Sequence, residues 1–180
     1  MAMDLIELNA HLDIYKQNEQ ILEAADFVLH NFGLELDMLE GFDYRDDEQP
    51  NFVVVTTEGD FGAPQKIRIP RNLFDFDLRL VLNLIAHEVL HVKQKTEYPY
   101  LKDKNEREFL AYSENLYHRE FPRIPEAPDF NRQQFAQKAL EYYSRMGEGS
   151  DLQKKYADAK AEVERTLEDI LIKRGVKKED

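Results

Sequence analysis

The stretch Ala86-His87-Glu88-Val89-Leu90-His91 is the part of this 180-residue chain around which the rest is best interpreted, and as a pattern it reads H-E-x-x-H. The two histidines are four residues apart, so on a helix their imidazoles lie on the same side, one turn apart. From there both rings can reach one metal ion. Glu88 points to a neighbouring sector, where its carboxylate can take a proton from a water held by that ion. The pattern therefore predicts a metal site that activates water.

The residues around the motif predict a buried helix from Leu78 to about Lys95, with Asp77 as its N-cap. One side carries apolar residues at helical spacing: Leu78, Val81, Leu82, Ile85, Val89 and Val92. The opposite side carries both histidines together with Leu80, Leu84 and Gln94. Because the helix is apolar nearly all round, we expect both imidazoles to face inward, where they need polar partners. One metal ion would meet this need for both rings.

The composition narrows the classes of function. The chain has no cysteine, which excludes disulfides, cysteine-ligated zinc and thiol catalysis. Its net charge is −12 and it has no long basic stretch, so nucleic-acid and anionic-membrane partners are disfavoured. The N-terminal residues 1–7 have neither a basic region nor a long apolar run. We therefore expect no signal peptide and no transmembrane span, with the cytoplasm as the default compartment.

The rest of the chain predicts an α+β fold, with a mixed or antiparallel sheet of about three strands packed on the motif helix and further helices at both ends. We expect a single domain over residues 1–180, with a core at about 51–120 and a C-terminal helical extension over 131–180. Helices are predicted at about 14–32, 106–120, 131–146 and 151–174, and strands at 34–38, 51–57 and 66–70.

Details of the pattern refine these elements. Gly33 is expected to end the first helix, and the acidic segment 42–50 reads as a loop. The unbroken β-branched run 51–57 predicts a central strand. Pro70 cannot donate to a ladder, which predicts that segment 66–70 is an edge strand or ends at an edge. The charged last helix is expected to face solvent, or alternatively to bind a partner helix.

A third metal ligand must be His, Asp or Glu, since the chain has no cysteine. Three glutamates of the next predicted helix compete: Glu106, Glu108 and Glu114. The inward face of that helix is marked by Phe109, Tyr112 and Leu116. Glu108 borders this face, whereas Glu106 lies about 90° from its centre and Glu114 points nearly opposite. We therefore expect Glu108 to be the ligand and the other two to be surface carboxylates.

The H-E-x-x-H motif resembles the signature of the zincin metallopeptidases. The longer metzincin pattern is absent, because Gln94 and Glu97 stand where its glycine and last histidine would be. The absence of cysteine likewise argues against the peptide deformylases. Residues 105–112 resemble the E-x-E-A-x-x-A segment of small gluzincin-like families, which include regulatory peptidases that cleave repressors. Here Phe109 replaces the small residue, and the resemblance covers about residues 51–120.

This resemblance implies a zincin-like fold with Zn²⁺ held by His87, His91 and Glu108, the second glutamate of the segment. Mn²⁺ or Fe²⁺ could occupy a similar site. Glu88 would be the general base. The oxyanion donor is open among Tyr98, Tyr100, Tyr112 and His118, with Tyr112 taken as the catalytic candidate. An extended peptide substrate would lie along the edge strand, expected at 66–69.

The sequence thus leads to a small cytoplasmic zinc metallopeptidase acting on a peptide or protein. A second hypothesis is a catalytically inactive zincin-fold module whose C-terminal helices bind a partner. A third is a metal-free protein with a structural role. Metal analysis and digestion of a peptide library separate the three.

Overall fold

The computed structural model describes residues 3–176, which form an α+β fold. The helices are α1 Leu5–Gln17, α2 Ile21–Phe32, α3 Leu78–Thr96, α4 Lys104–Tyr117, α5 Asp129–Arg145, α6 Asp151–Lys155 and α7 Ala157–Lys173. The strands are β1 Leu39–Tyr44, β2 Thr56–Glu58 and β3 Gln65–Ile69, and a short 3₁₀ turn spans Leu73–Asp75. No helix within residues 3–176 has both the length and the apolar character needed to cross a membrane.

The chain divides into two compact units. The first runs to Pro99 and includes Phe121–Pro125, so it contains the sheet and the motif helix α3. The second comprises Tyr100–Glu120 and the chain from Glu126 onward, and it contains helices α4 to α7. The expected single domain over residues 1–180 stays a prediction.

The N-terminal region forms two helices, so the single helix predicted over 14–32 is wrong. Between α1 and α2, the side chain of Asn18 donates to the carbonyl of Ile14 at 2.8 Å. Glu19 then adopts a left-handed backbone with φ of 57°, which ends the helical path. Asp4 begins α1 by accepting from the backbone N–H groups of Ile6 and Glu7. Gly33 ends α2 at φ of 66°, as predicted.

The sheet has the order β1-β3-β2, with β1 parallel and β2 antiparallel to β3. This corrects the predicted strand positions. Segment 34–38 forms no strand, and β1 instead begins at Leu39 and enters the region expected to be a loop. The run 51–57 contributes only its end to β2, which lies at an edge. The segment predicted at 66–70 forms the central strand β3, so its predicted edge position is wrong. Pro70 follows the last paired residue, and its missing N–H therefore removes no hydrogen bond from the sheet.

The motif helix α3 agrees with the sequence prediction in position and burial. It begins after Asp77, whose carboxylate accepts from the backbone N–H of Arg79 at 2.9 Å. Of its predicted apolar side, Val81, Leu82, Ile85, Val89 and Val92 are each at 0% exposure, whereas Leu78 in the first turn is half-buried. His87 and Glu88 are also buried, and His91 is half-buried.

The second unit is helical, and its last predicted helix is in fact two. The chain breaks at Tyr156, between α6 and α7. In α7, Val163 and Ile170 are buried. Residues 147–150 separate α5 from α6 as predicted, and the hydroxyl of Ser150 caps α6 by accepting from the N–H of Gln153.

The loop between β2 and β3 is closed around the buried side chain of Gln65. Its Nε2 donates to the carbonyls of Asp60 at 2.7 Å and Ala63 at 2.8 Å. Gly59 has φ of 145°, and a Cβ there would lie 2.6 Å from the Gln65 side chain. The backbone conformation therefore favours glycine at this position, and a Cβ would in addition displace the hydrogen-bonded end of the Gln65 side chain.

We expect Gly59→Ala to lower the free energy of unfolding by about 2–4 kcal/mol, because it adds a clash to backbone strain. Gly62→Ala is the matched control, since its φ is 75° and a Cβ at that position would meet nothing within 4 Å. Strain alone should then cost about 1 kcal/mol. Urea unfolding of both variants tests this, and equal losses would contradict the packing argument.

Candidate metal centre

Helix α3 brings the two motif imidazoles close together. The Nε2 atoms of His87 and His91 lie 3.1 Å apart, and the ring planes are inclined at 82°. Two nitrogens bound to one tetrahedral zinc at its usual bond length are about 3.3 Å apart. The pair therefore has close to the spacing that a shared ion requires.

The second histidine is oriented by a residue of its own helix. The Nδ1–H of His91 donates to Oε1 of Gln94 over 2.8 Å, which leaves Nε2 facing His87. Gln94 is 1% exposed. A hydrogen bond of this kind is the usual way in which proteins hold a metal-binding imidazole.

Glu88 is held by the edge strand of the sheet. The hydroxyl of Thr57, in β2, lies 2.8 Å from Oε2 of Glu88 and 3.0 Å from its backbone carbonyl oxygen. A hydroxyl has one proton, so it donates to one of these two acceptors at a time. Arg45 adds positive charge nearby: its pKa is raised chiefly by its hydrogen bond to Asp47, and Glu88 contributes to the same shift. The carboxylate is thus positioned inside the first unit.

Glu108, on α4, is half-buried and offers a carboxylate oxygen. One candidate ligand atom from each of His87, His91 and Glu108 lies within 4.8 Å of the others, a group that could hold a metal ion. Two imidazoles and one carboxylate are a donor set found in catalytic zinc sites. The residues therefore fit a divalent ion chemically, and the identity of the ion and the role of each ligand stay predictions.

Glu106 is buried at 4% exposure, so its prediction as a surface carboxylate is wrong. Its Oε1 accepts from the hydroxyl of Tyr156 at 2.7 Å and from Nζ of Lys155 at 2.8 Å. Helical spacing could not reveal these partners, because they lie about fifty positions further along the chain. This glutamate joins α4 to the junction of α6 and α7.

Glu114 is also buried, at 6% exposure, which again corrects the predicted surface position. Its two carboxylate oxygens accept from the backbone N–H groups of Arg119 and Glu120, each at 3.0 Å. The chain turns back here because His118 adopts a left-handed backbone with φ of 46°. Glu114 therefore stabilises the turn that follows α4.

The four candidate oxyanion donors have different surroundings. Tyr112 stacks on Tyr142 with ring centroids 5.8 Å apart, and Tyr100 is 70% exposed. Tyr98 lies under the ammonium group of a lysine of α3. Burial lowers the pKa of His118. The catalytic assignment of Tyr112 stays a prediction.

Sequence reasoning does not identify the partners of the motif side chains. The helical pattern places Gln94 on the histidine side of α3, and its spacing of three residues from His91 is a signal for contact. Thr57 gives no such signal, because it comes from a strand 31 positions before Glu88.

No protein-family model, curated protein or solved structure matches this chain. The resemblance to the zincins therefore stays an expectation from the sequence motifs.

Titration of Tyr156 should destabilise the protein at alkaline pH. Burial raises the pKa of this phenol to about 12 from an ordinary 10.0, with the hydrogen bond to Glu106 acting in the same direction. The stability that depends on the neutral phenol is therefore present below pH 10 and lost as the pH rises toward about 12.

We expect the free energy of unfolding of Tyr156→Phe to fall less over this window than that of the wild type. The pKa of Lys155 is raised chiefly by its hydrogen bond to Glu106 and in part by Tyr156, so the difference between the two proteins reports this coupled pair. Urea unfolding across the window measures the difference. Parallel pH profiles would show that Tyr156 does not contribute.

Proposed function

We propose that this protein is a metal-dependent peptidase of the zincin type, in which His87, His91 and Glu108 hold Zn²⁺. The observation that carries the proposal is the 3.1 Å spacing of the two Nε2 atoms on one buried helix, with Glu88 one residue from the first. When bound, zinc would supply positive charge that lowers the pKa of water toward neutrality.

Glu88 is the proposed general base. It takes a proton from the attacking water as the water oxygen adds to the peptide carbonyl carbon. It then gives that proton to the nitrogen of the leaving amine as the carbon–nitrogen bond breaks. The hydrogen bond from Thr57 restricts the rotation of the carboxylate, so the base is oriented before substrate arrives.

The substrate is proposed to be an extended peptide added to β2. The expectation that residues 66–69 form this edge is wrong, because β3 is paired on both sides. β2 is an edge of this sheet, so its outer backbone groups can pair with another strand. The contact between Thr57 and Glu88 puts this edge beside the proposed base.

The cytoplasm is the proposed compartment, because a cysteine-free chain suits a reducing environment.

The metal assignment predicts that each chain binds one zinc ion and that removal of the Glu108 carboxylate weakens this binding. We expect Glu108→Ala to weaken zinc binding by at least about 100-fold, since a ligand should matter more than the residues that orient ligands. Glu148→Ala, an exposed carboxylate in the loop after α5, should leave binding unchanged. Elemental analysis and competition with a chromophoric chelator measure both. If Glu108→Ala bound zinc as tightly as the wild type, Glu108 would not be a metal ligand.

The general-base assignment predicts that Glu88→Gln keeps zinc affinity but lowers peptide hydrolysis by roughly 100- to 10,000-fold. Glu97→Gln, at the C-terminal end of the same helix, is the control and should retain activity. A peptide library followed by mass spectrometry detects the products. A fully active Glu88→Gln would refute the mechanism. A zinc-loaded wild type that cleaves nothing would favour an inactive binding module.

A further inference from the structure

We propose that Gln94 is a positioning residue whose side-chain amide oxygen holds His91 in the tautomer that presents Nε2 to the metal. The proposal rests on the metal site described above. It concerns how that site is prepared rather than which reaction follows.

The contact is built into α3. Gln94 follows His91 by three residues, so the two side chains lie on neighbouring positions of the same helical face. Its Oε1 accepts from Nδ1 of His91 at 2.8 Å, and the side chain is almost fully enclosed at 1% exposure. A buried amide is costly unless its polar atoms are paired, so this position is not a generic surface glutamine.

The hydrogen bond decides which nitrogen of the ring is available. A neutral imidazole carries one N–H, and donation from Nδ1 leaves the lone pair on Nε2. That atom faces Nε2 of His87 across 3.1 Å. In the other tautomer an N–H would point at His87, and His91 could not bind the ion until its proton moved.

Two substitutions separate the acceptor from the volume of the side chain. Gln94→Met has a similar unbranched length and good helix propensity but offers no comparable acceptor. Gln94→Glu keeps an oxygen acceptor on the same carbon framework. We expect the methionine variant to bind zinc about 10- to 100-fold more weakly than wild type and the glutamate variant to recover most of that loss.

The test uses the full chain and Zn²⁺ itself, with affinity measured by competition against a chromophoric chelator. Circular dichroism and the urea midpoint report whether each variant is folded. Wild-type affinity in folded Gln94→Met would overturn the proposal, as would a failure of Gln94→Glu to exceed the methionine variant.

A second measurement does not depend on zinc binding or on catalysis. Nitrogen-15 NMR of the imidazoles in the zinc-free protein, at a pH where the rings are neutral, reports the tautomer of His91 directly. We expect Nδ1–H in wild type and a shift toward Nε2–H in Gln94→Met. An Nε2–H tautomer in wild type would overturn the role of Gln94 even if the variants did not fold. Correct tautomers without zinc binding would instead count against the proposed metal site alone.

Discussion

The arrangement of the site depends on one constraint: polar side chains on the buried helix α3 are away from bulk water and must find partners within the protein. Asn83 donates to the carbonyls of Arg79 and Pro125, both at 2.8 Å. The hydroxyl of Thr57 donates a hydrogen bond to Glu88, and His91 donates one to Gln94. Each pairing offsets a desolvation cost of a few kcal/mol and at the same time restricts the side chain to one orientation. Burial thus fixes the orientation of the polar side chains of α3.

The buried carboxylates of α4 illustrate why residue type alone does not identify a ligand. Glu106 accepts from a phenol and an ammonium group, and Glu114 accepts from two backbone N–H groups. These contacts engage both side chains in holding helices and a turn together. Glu108 is the glutamate of this helix whose oxygen lies within 4.8 Å of candidate atoms of both histidines. The two buried glutamates of α4 thus have structural partners, and Glu108 is the candidate metal ligand.

The small sheet contributes to the proposed chemistry through β2. A substrate strand paired at this edge would lie along the same strand that holds Glu88 through Thr57. Both the scissile bond and the base would then be positioned by β2. Precise placement of this kind is a large part of what an active site contributes to rate.

The sequence by itself determined the local features of the protein: the extent, cap and buried side of α3, the stop at Gly33 and the H-E-x-x-H spacing. These depend on interactions within one or two helical turns, which periodicity and capping residues report directly. Only the tertiary structure decided the sheet order, the central position of β3 and the partners of Glu88, Glu106 and Glu114. Strand pairing and buried hydrogen bonds join residues far apart in the chain, and no local pattern encodes which distant group will arrive.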